Sequence, residues 1–184
     1  MKLQGKLLLL TAEHPVNVNF KITDDGITPL MLACTSGNLE IVKLILANPT
    51  LVLDKRDNSG INSLYVSAYY GHFEVFKLLR RHGARYHKSD KGSTILHVVC
   101  KKGFNEILKY LLHEPQDLRI PIDSVKNNGM TPAMLAVQKN HLFILRMLKE
   151  SGADLSKTIE GGVNLLYLAA QNGHHVIVGY LLDK

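Results

Sequence analysis

The sequence predicts an all-α solenoid of antiparallel helix pairs joined by hairpin-like loops. Three observations predict it. Five segments of one pattern share a single register, beginning at Gly26, Gly60, Gly92, Gly129 and Gly162, at intervals of 34, 32, 37 and 33 residues. Each carries a helix-capping side chain two positions after its glycine. Each then shows two apolar stripes separated by a second glycine, or by asparagine in the fourth segment. A period of this length marks units that cannot bury their apolar face alone and must stack on their neighbours.

The opening glycine of each unit predicts a turn, because a positive φ costs glycine nothing. Thr28, Asn62, Thr94, Thr131 and Asn164 follow, side chains that accept a bond from the free N–H groups of a helix start. Pro29 and Pro132 take the first helical position, where a missing N–H does no harm. The buried stripe of this first helix reads Leu30, Leu32 and Ala33; Leu64 and Val66; Leu96, Val98 and Val99; Leu135 and Ala136; Leu166, Leu168 and Ala169. Gly37, Gly71, Gly103 and Gly173 are expected to close it in the left-handed conformation, with Asn140 as the stand-in. The second helix carries apolar residues at helical spacing, for example Ile41, Val42, Leu44 and Ile45, and Ile144, Leu145, Met147 and Leu148. Glu40, Glu74 and Glu106 favour its positive end, and Lys43, Lys77, Lys109 and Arg146 follow on the wet side.

These residues resemble the ankyrin-repeat family, whose first helix reads Thr-Pro-Leu-His-x-Ala. Thr28, Pro29, Leu30 and Ala33 match it, as do Thr94, Leu96 and His97, and Thr131, Pro132 and Ala136. The resemblance covers roughly residues 20 to 184. The threonine–histidine pair is complete only at Thr94 and His97; Met31, Tyr65, Met134 and Tyr167 stand in the other histidine positions. One hydrogen bond per repeat is expected to be lost there, and stability to be modest.

The whole chain, residues 1–184, reads as one domain. Residues 4–22 are expected to form a half repeat, since Leu7 and Leu10 fall on Ile41 and Leu44 in register. An insertion around residues 114–126 accounts for the one long interval, and Pro115 and Pro121 rule out a continuous helix through it. The last repeat still carries Val176, Ile177, Val178 and Tyr180 with no polar cap, which leads us to expect a piece of a longer protein or an end covered by a partner.

Composition excludes several classes. With 46% hydrophobic and 21% charged residues the chain is neither disordered nor membrane-like. The run Leu7–Leu10 is too short for a bilayer span or a secretory core. Two cysteines without a glycosylation acceptor point to an intracellular setting, cytoplasmic or nuclear. The excess of lysine and arginine gives a net charge of +6, a weak long-range attraction for acidic surfaces.

The chain is not expected to be an enzyme or to hold a metal or cofactor. No phosphate loop, nucleophile elbow or histidine–carboxylate motif is present. His72, His141 and His174 are equivalent positions of different repeats, about 8–10 Å apart, too far for one metal with ligands at about 2 Å. Cys34 and Cys100 are likewise two repeats apart and cannot bridge. Asp24, Asp25, Asp54 and Asp57 fall in the hairpins, where they form turns.

Binding is the remaining class. The resemblance implies contacts from the two residues before each helix-ending glycine and from those flanking each hairpin glycine. In register the first set is Thr35 and Ser36, Tyr69 and Tyr70, Lys101 and Lys102, Gln138 and Lys139, and Gln171 and Asn172. Ile61, Lys91 and Met130 in the hairpins extend the same face. Two adjacent tyrosines are rigid interface anchors, and the lysines favour an acidic neighbour. The expected partner is therefore another protein, with an acidic segment, bound by a monomer or by part of a larger chain. Two alternatives stand beside this scaffold reading. One is a regulatory segment of a larger enzyme or channel. The other is weak nucleic-acid binding through Lys77, Arg80, Arg81, Arg85, Lys88 and Lys91, which no base-reading motif accompanies.

Overall fold

The computed structural model describes residues 17–113 and 120–183. The half repeat at residues 4–22 therefore lies largely outside the described residues, as do residues 114–119 of the insertion.

Among the described residues, ten α-helices follow in pairs. The first repeat has α1 (Pro29–Ser36) and α2 (Leu39–Leu46), the second α3 (Ser63–Tyr69) and α4 (Phe73–Arg81), the third α5 (Ile95–Lys102) and α6 (Asn105–Leu112). The fourth has α7 (Pro132–Gln138) and α8 (Leu142–Glu150), and the fifth α9 (Leu165–Gln171) and α10 (His175–Leu182), preceded by a 3-10 turn at Glu160–Gly162. Each first helix starts where a side chain caps it. The oxygens of Thr28, Asn62, Thr131 and Asn164 accept the N–H of the residue three further on, at 2.9–3.3 Å. Asn38 caps α2 in the same way, at 3.0 Å from the Ile41 nitrogen. Asn140, at φ 61, is the one non-glycine residue with positive φ among the described residues, standing where four repeats have glycine.

Stacking divides the helices into two layers. In the inner row α1, α3, α5, α7 and α9, the middle members α3, α5 and α7 have a neighbour on each side, so α5 buries every residue from Ile95 to Cys100. The outer row buries one stripe only: Val42 and Ile45; Val75, Phe76 and Leu79; Ile107, Leu108 and Leu111; Ile144, Leu145 and Leu148. Burying side chains of this size stabilises by about 1.5–3 kcal/mol each. The apolar runs exceed what one stripe can hold. Leu166, expected in the buried stripe of its helix, is exposed on α9, and Leu44, one of the apolar residues spaced along α2, is 66% exposed.

Polar ladders link the repeats at both ends of the inner helices. In the hairpins, the N–H groups of Asn58, Asp90 and Asn127 donate to the carbonyls of Asp25, Ser59 and Lys91 at 2.8–3.1 Å, each crossing to the preceding repeat. At the far end, ring nitrogens of His72, His141 and His174 bond the carbonyls of Thr35, Lys101 and Gln138, again one repeat back, at 3.1–3.2 Å. These rings also lie over the helix-ending glycines. A Cβ on Gly37 would stand 2.4 Å from His72, and one on Gly103 2.8 Å from His141. The histidines after the helix turn are thus rungs between repeats.

Only one of the expected losses at the histidine position is offset by a polar bond that crosses repeats. Met31 and Met134 are buried apolar substitutes. Tyr65 instead donates its hydroxyl to Ser93 Oγ of the third repeat at 3.1 Å. His97 joins the backbone of two repeats: Thr94 N–H of the third donates to Nδ1 at 3.1 Å, and Nε2 bonds the Met130 carbonyl of the fourth at 3.0 Å.

Candidate partner-binding groove

The hairpins and the exposed side of the inner helices enclose a groove of about 950 Å³ that runs from the first repeat to the fourth. Its floor is apolar because the inner helices turn Met31, Tyr65, Val66 and Leu135 toward it, and its rim is set by the row that ends each inner helix.

Tyr69 and Tyr70 stand on that rim, 42% and 51% exposed. Their rings meet edge to face at 5.2 Å. Tyr70 is stacked along the His72 ring at 6.3 Å, so the inter-repeat rung also props the anchor. Lys102 Nζ sits 4.4 Å above the Tyr69 ring, a cation–π contact that crosses from the third repeat to the second. Lys101, Lys139 and Lys91 are exposed and line the same groove, and Ile61 is half-buried in it.

Two expected members fall elsewhere. Met130 is buried, 8% exposed, because it follows the hairpin glycine directly into the stack and its carbonyl takes the His97 bond. It belongs to the core and not to the binding face. Gln138 is half-buried and does not line the groove; its carbonyl receives the His174 rung.

The groove also contains residues that the register did not single out. Tyr65 and Met31 reach it from the position where the related motif has histidine, and Asp57, Asp90 and Lys126 reach it from the hairpin tips. The signal for Tyr65 lay in that substitution itself: an aromatic too long for the short histidine bond extends to the next repeat. Burial raises the Tyr65 hydroxyl pKa above its ordinary value, so the ring remains a neutral donor.

The basic group on the second helix is partly committed. Lys77 pairs with Glu74 at 2.8 Å and lies 5.1 Å from the Phe73 ring centre, and Arg80 is held over Tyr86 at 4.3 Å while bonding the Ala84 carbonyl. Of its members, Lys91 lines the groove.

The cysteine thiols are buried and unbridged, Cys34 with its pKa pushed up to about 12 by burial and Cys100 pushed higher still. Among the described residues, no group of three or more histidine, cysteine or carboxylate side chains is gathered for a metal. Among those residues too, no helix is long and apolar enough to cross a membrane.

Comparison with known proteins gives one consistent result. A family model described as ankyrin repeats (3 copies) matches residues 4–90 and 85–159. The chain is 29% identical over 173 residues to the human transient receptor potential cation channel subfamily A member 1, covering 89% of this chain and 15% of that protein. It is 30% identical over 156 residues to the target of rapamycin complex 2 subunit AVO2 of Saccharomyces cerevisiae, covering 83% and 36%. It is 30% identical over 135 residues to the probable 26S proteasome regulatory subunit p28 of the same yeast, covering 72% and 58%. The chain thus spans between about one seventh and three fifths of the length of these relatives.

Proposed function

Because this chain belongs to the ankyrin-repeat family, whose repeats are protein-interaction modules, we propose that its groove takes a segment of a partner protein across repeats two to four. One observation carries this reading: Tyr69, Tyr70, Lys101 and Lys102 form a continuous exposed row on the rim of a single large groove with an apolar floor. Exposed paired aromatics provide contact area at small conformational cost, and the lysines favour carboxylates on the partner. The partner carries an acidic segment, and the chain acts as a monomer or as one part of a longer protein inside the cell.

The test is affinity for a purified partner found by cross-linking and capture. Replacing both tyrosines by alanine is expected to weaken binding by more than about 2 kcal/mol, roughly thirtyfold, with helical content unchanged. Unchanged affinity in a folded double variant sinks the groove assignment.

The relatives' lengths favour a second reading, in which this stack is the regulatory segment of a larger enzyme, complex or channel. Similarity to a cation channel and to a subunit of target of rapamycin complex 2, of which the match covers 15% and 36%, supports it. A full-length reading frame with no further domain would exclude it.

A further inference from the structure

We infer that the groove reads its partner in steps of three residues: a large apolar side chain over the second repeat, then carboxylates three and six residues along the segment, over the third and fourth. This rests on the groove being the partner-binding face and adds the pattern the partner must carry.

The chemistry of the groove changes along its length. The second repeat contributes Ile61, Tyr65, Tyr69 and Tyr70, an aromatic and apolar cradle. The third contributes Lys101 and Lys102 with Lys91 from its hairpin, and the fourth Lys139 with Lys126. Among the residues lining the groove, the carboxylates are Asp57, on the second hairpin, and Asp90, on the third hairpin beside Lys91 with its N–H bonded back to the Ser59 carbonyl of the second. Asp57 is already engaged, its Oδ1 accepting the N–H groups of Ser59 and Ile61 at 2.8 and 3.1 Å. Asp24 and Asp25 are exposed on the first hairpin together with Lys21, whose Nζ lies 3.4 Å from Asn58 Oδ1. The lysines that line the groove all belong to the third and fourth repeats, and an acidic partner group is drawn there.

Spacing sets the step. Stacked helices advance by about 8–10 Å per repeat. A segment in the polyproline II conformation rises about 3.1 Å per residue with three residues per turn, so every third side chain lies on one face and advances by about 9.3 Å. A fully extended strand covers a similar distance in three residues but turns the third side chain to the opposite face. Unlike the strand, the polyproline II form returns a side chain to the groove at each repeat with only three residues per step. It carries no internal hydrogen bonds, and an open groove leaves its backbone hydrated. The Lys102 ammonium over the Tyr69 ring marks the boundary at which anchor gives way to carboxylate.

The test uses fluorescein-labelled, proline-rich peptides titrated by anisotropy against the intact chain. One pair places glutamates three and six residues from a leucine, on its C-terminal or its N-terminal side. Controls of identical composition place them one and two residues away. An exposed ion pair contributes about two- to fivefold at low salt, so the better spaced peptide is expected to bind roughly tenfold tighter than its control. That preference is expected to vanish when Lys101, Lys102 and Lys139 are all replaced by glutamine, with helical content checked by circular dichroism. Affinities within twofold for spaced and clustered peptides overturn the three-residue step. If Tyr69→Ala/Tyr70→Ala still weakens all the peptides, the groove reading survives that failure. A spacing preference that persists in the lysine variant, or no measurable binding by any peptide, overturns the proposal as well.

Discussion

Acidification should loosen the joint between the third and fourth repeats through one buried imidazole. His97 is 1% exposed, and its two nitrogens have opposite duties. Thr94 N–H donates to Nδ1 at 3.1 Å, so Nδ1 carries no proton, and Nε2–H donates to the Met130 carbonyl at 3.0 Å. A second proton would have to enter on Nδ1, facing the Thr94 N–H, with its charge buried. Burial, with a smaller push from the Lys126 charge, lowers the pKa from 6.5 to about 4. In the unfolded chain the ring titrates normally, so between those values the unfolded state binds the extra proton. The stabilisation is fully present above pH 6.5 and is lost as the pH falls toward 4. At 1.36 kcal/mol per pKa unit, the loss amounts to about 2.5 kcal/mol near pH 4.5 and about 3 kcal/mol near pH 4. His97→Gln provides the reference, since its amide does not titrate while the remaining histidines cancel in the comparison. Urea unfolding followed by circular dichroism at pH 7, 5.5 and 4.5 should show the wild type losing its advantage over the variant. A constant difference within about 0.5 kcal/mol, or an NMR titration placing His97 near 6.5, would refute the reasoning.

Two further pairs of substitutions separate causes that the sequence merges. Gly71 and Gly83 both have positive φ, 76° and 88°, but a methyl on Gly71 would lie 2.7 Å from the Phe104 ring of the next repeat, whereas nothing stands within 4 Å of Gly83. Gly83→Ala should cost about 1 kcal/mol from backbone conformation alone, and Gly71→Ala about 2–3 kcal/mol in denaturant midpoints; equal losses would mean that stacking does not select glycine there. Asn62 is fully buried, capping Tyr65 N–H while its amide donates to Asp54 Oδ1 and the Arg85 carbonyl at 3.0 and 2.9 Å. Asn62→Ala should cost about 3 kcal/mol, with Asn62→Ser recovering about 1 kcal/mol through the cap; full recovery by serine would show that the bridge between repeats contributes nothing.

Local chemistry made most of the architecture legible. A cap such as Thr28 or Asn164, a proline at the first helical position and a left-handed closer such as Gly103 act within four or five residues, so the chain announces them directly. Asn140 could be read as a glycine substitute for the same reason, and its φ of 61° agrees. The exposed positions of Tyr69, Tyr70, Lys101 and Lys102 also followed from register, because every repeat presents the end of its inner helix to the same side.

What register could not decide was which neighbour each side chain meets one repeat away. His72, His141 and His174 become rungs because the stack brings them against carbonyls about 36–40 residues earlier. Register alone puts Met130 on the binding face, because it flanks a hairpin glycine, yet the fold turns it into the core beside His97. Tyr65 enters the groove, and Lys102 lies over Tyr69, only when two repeats are laid side by side. By itself the sequence determined the repeat, its helices and the side that stays exposed, since these depend on short-range backbone chemistry and periodicity. The tertiary structure decided the contacts across repeats, and with them the shape and charge order of the groove, because such contacts depend on a stacking distance that no single repeat contains.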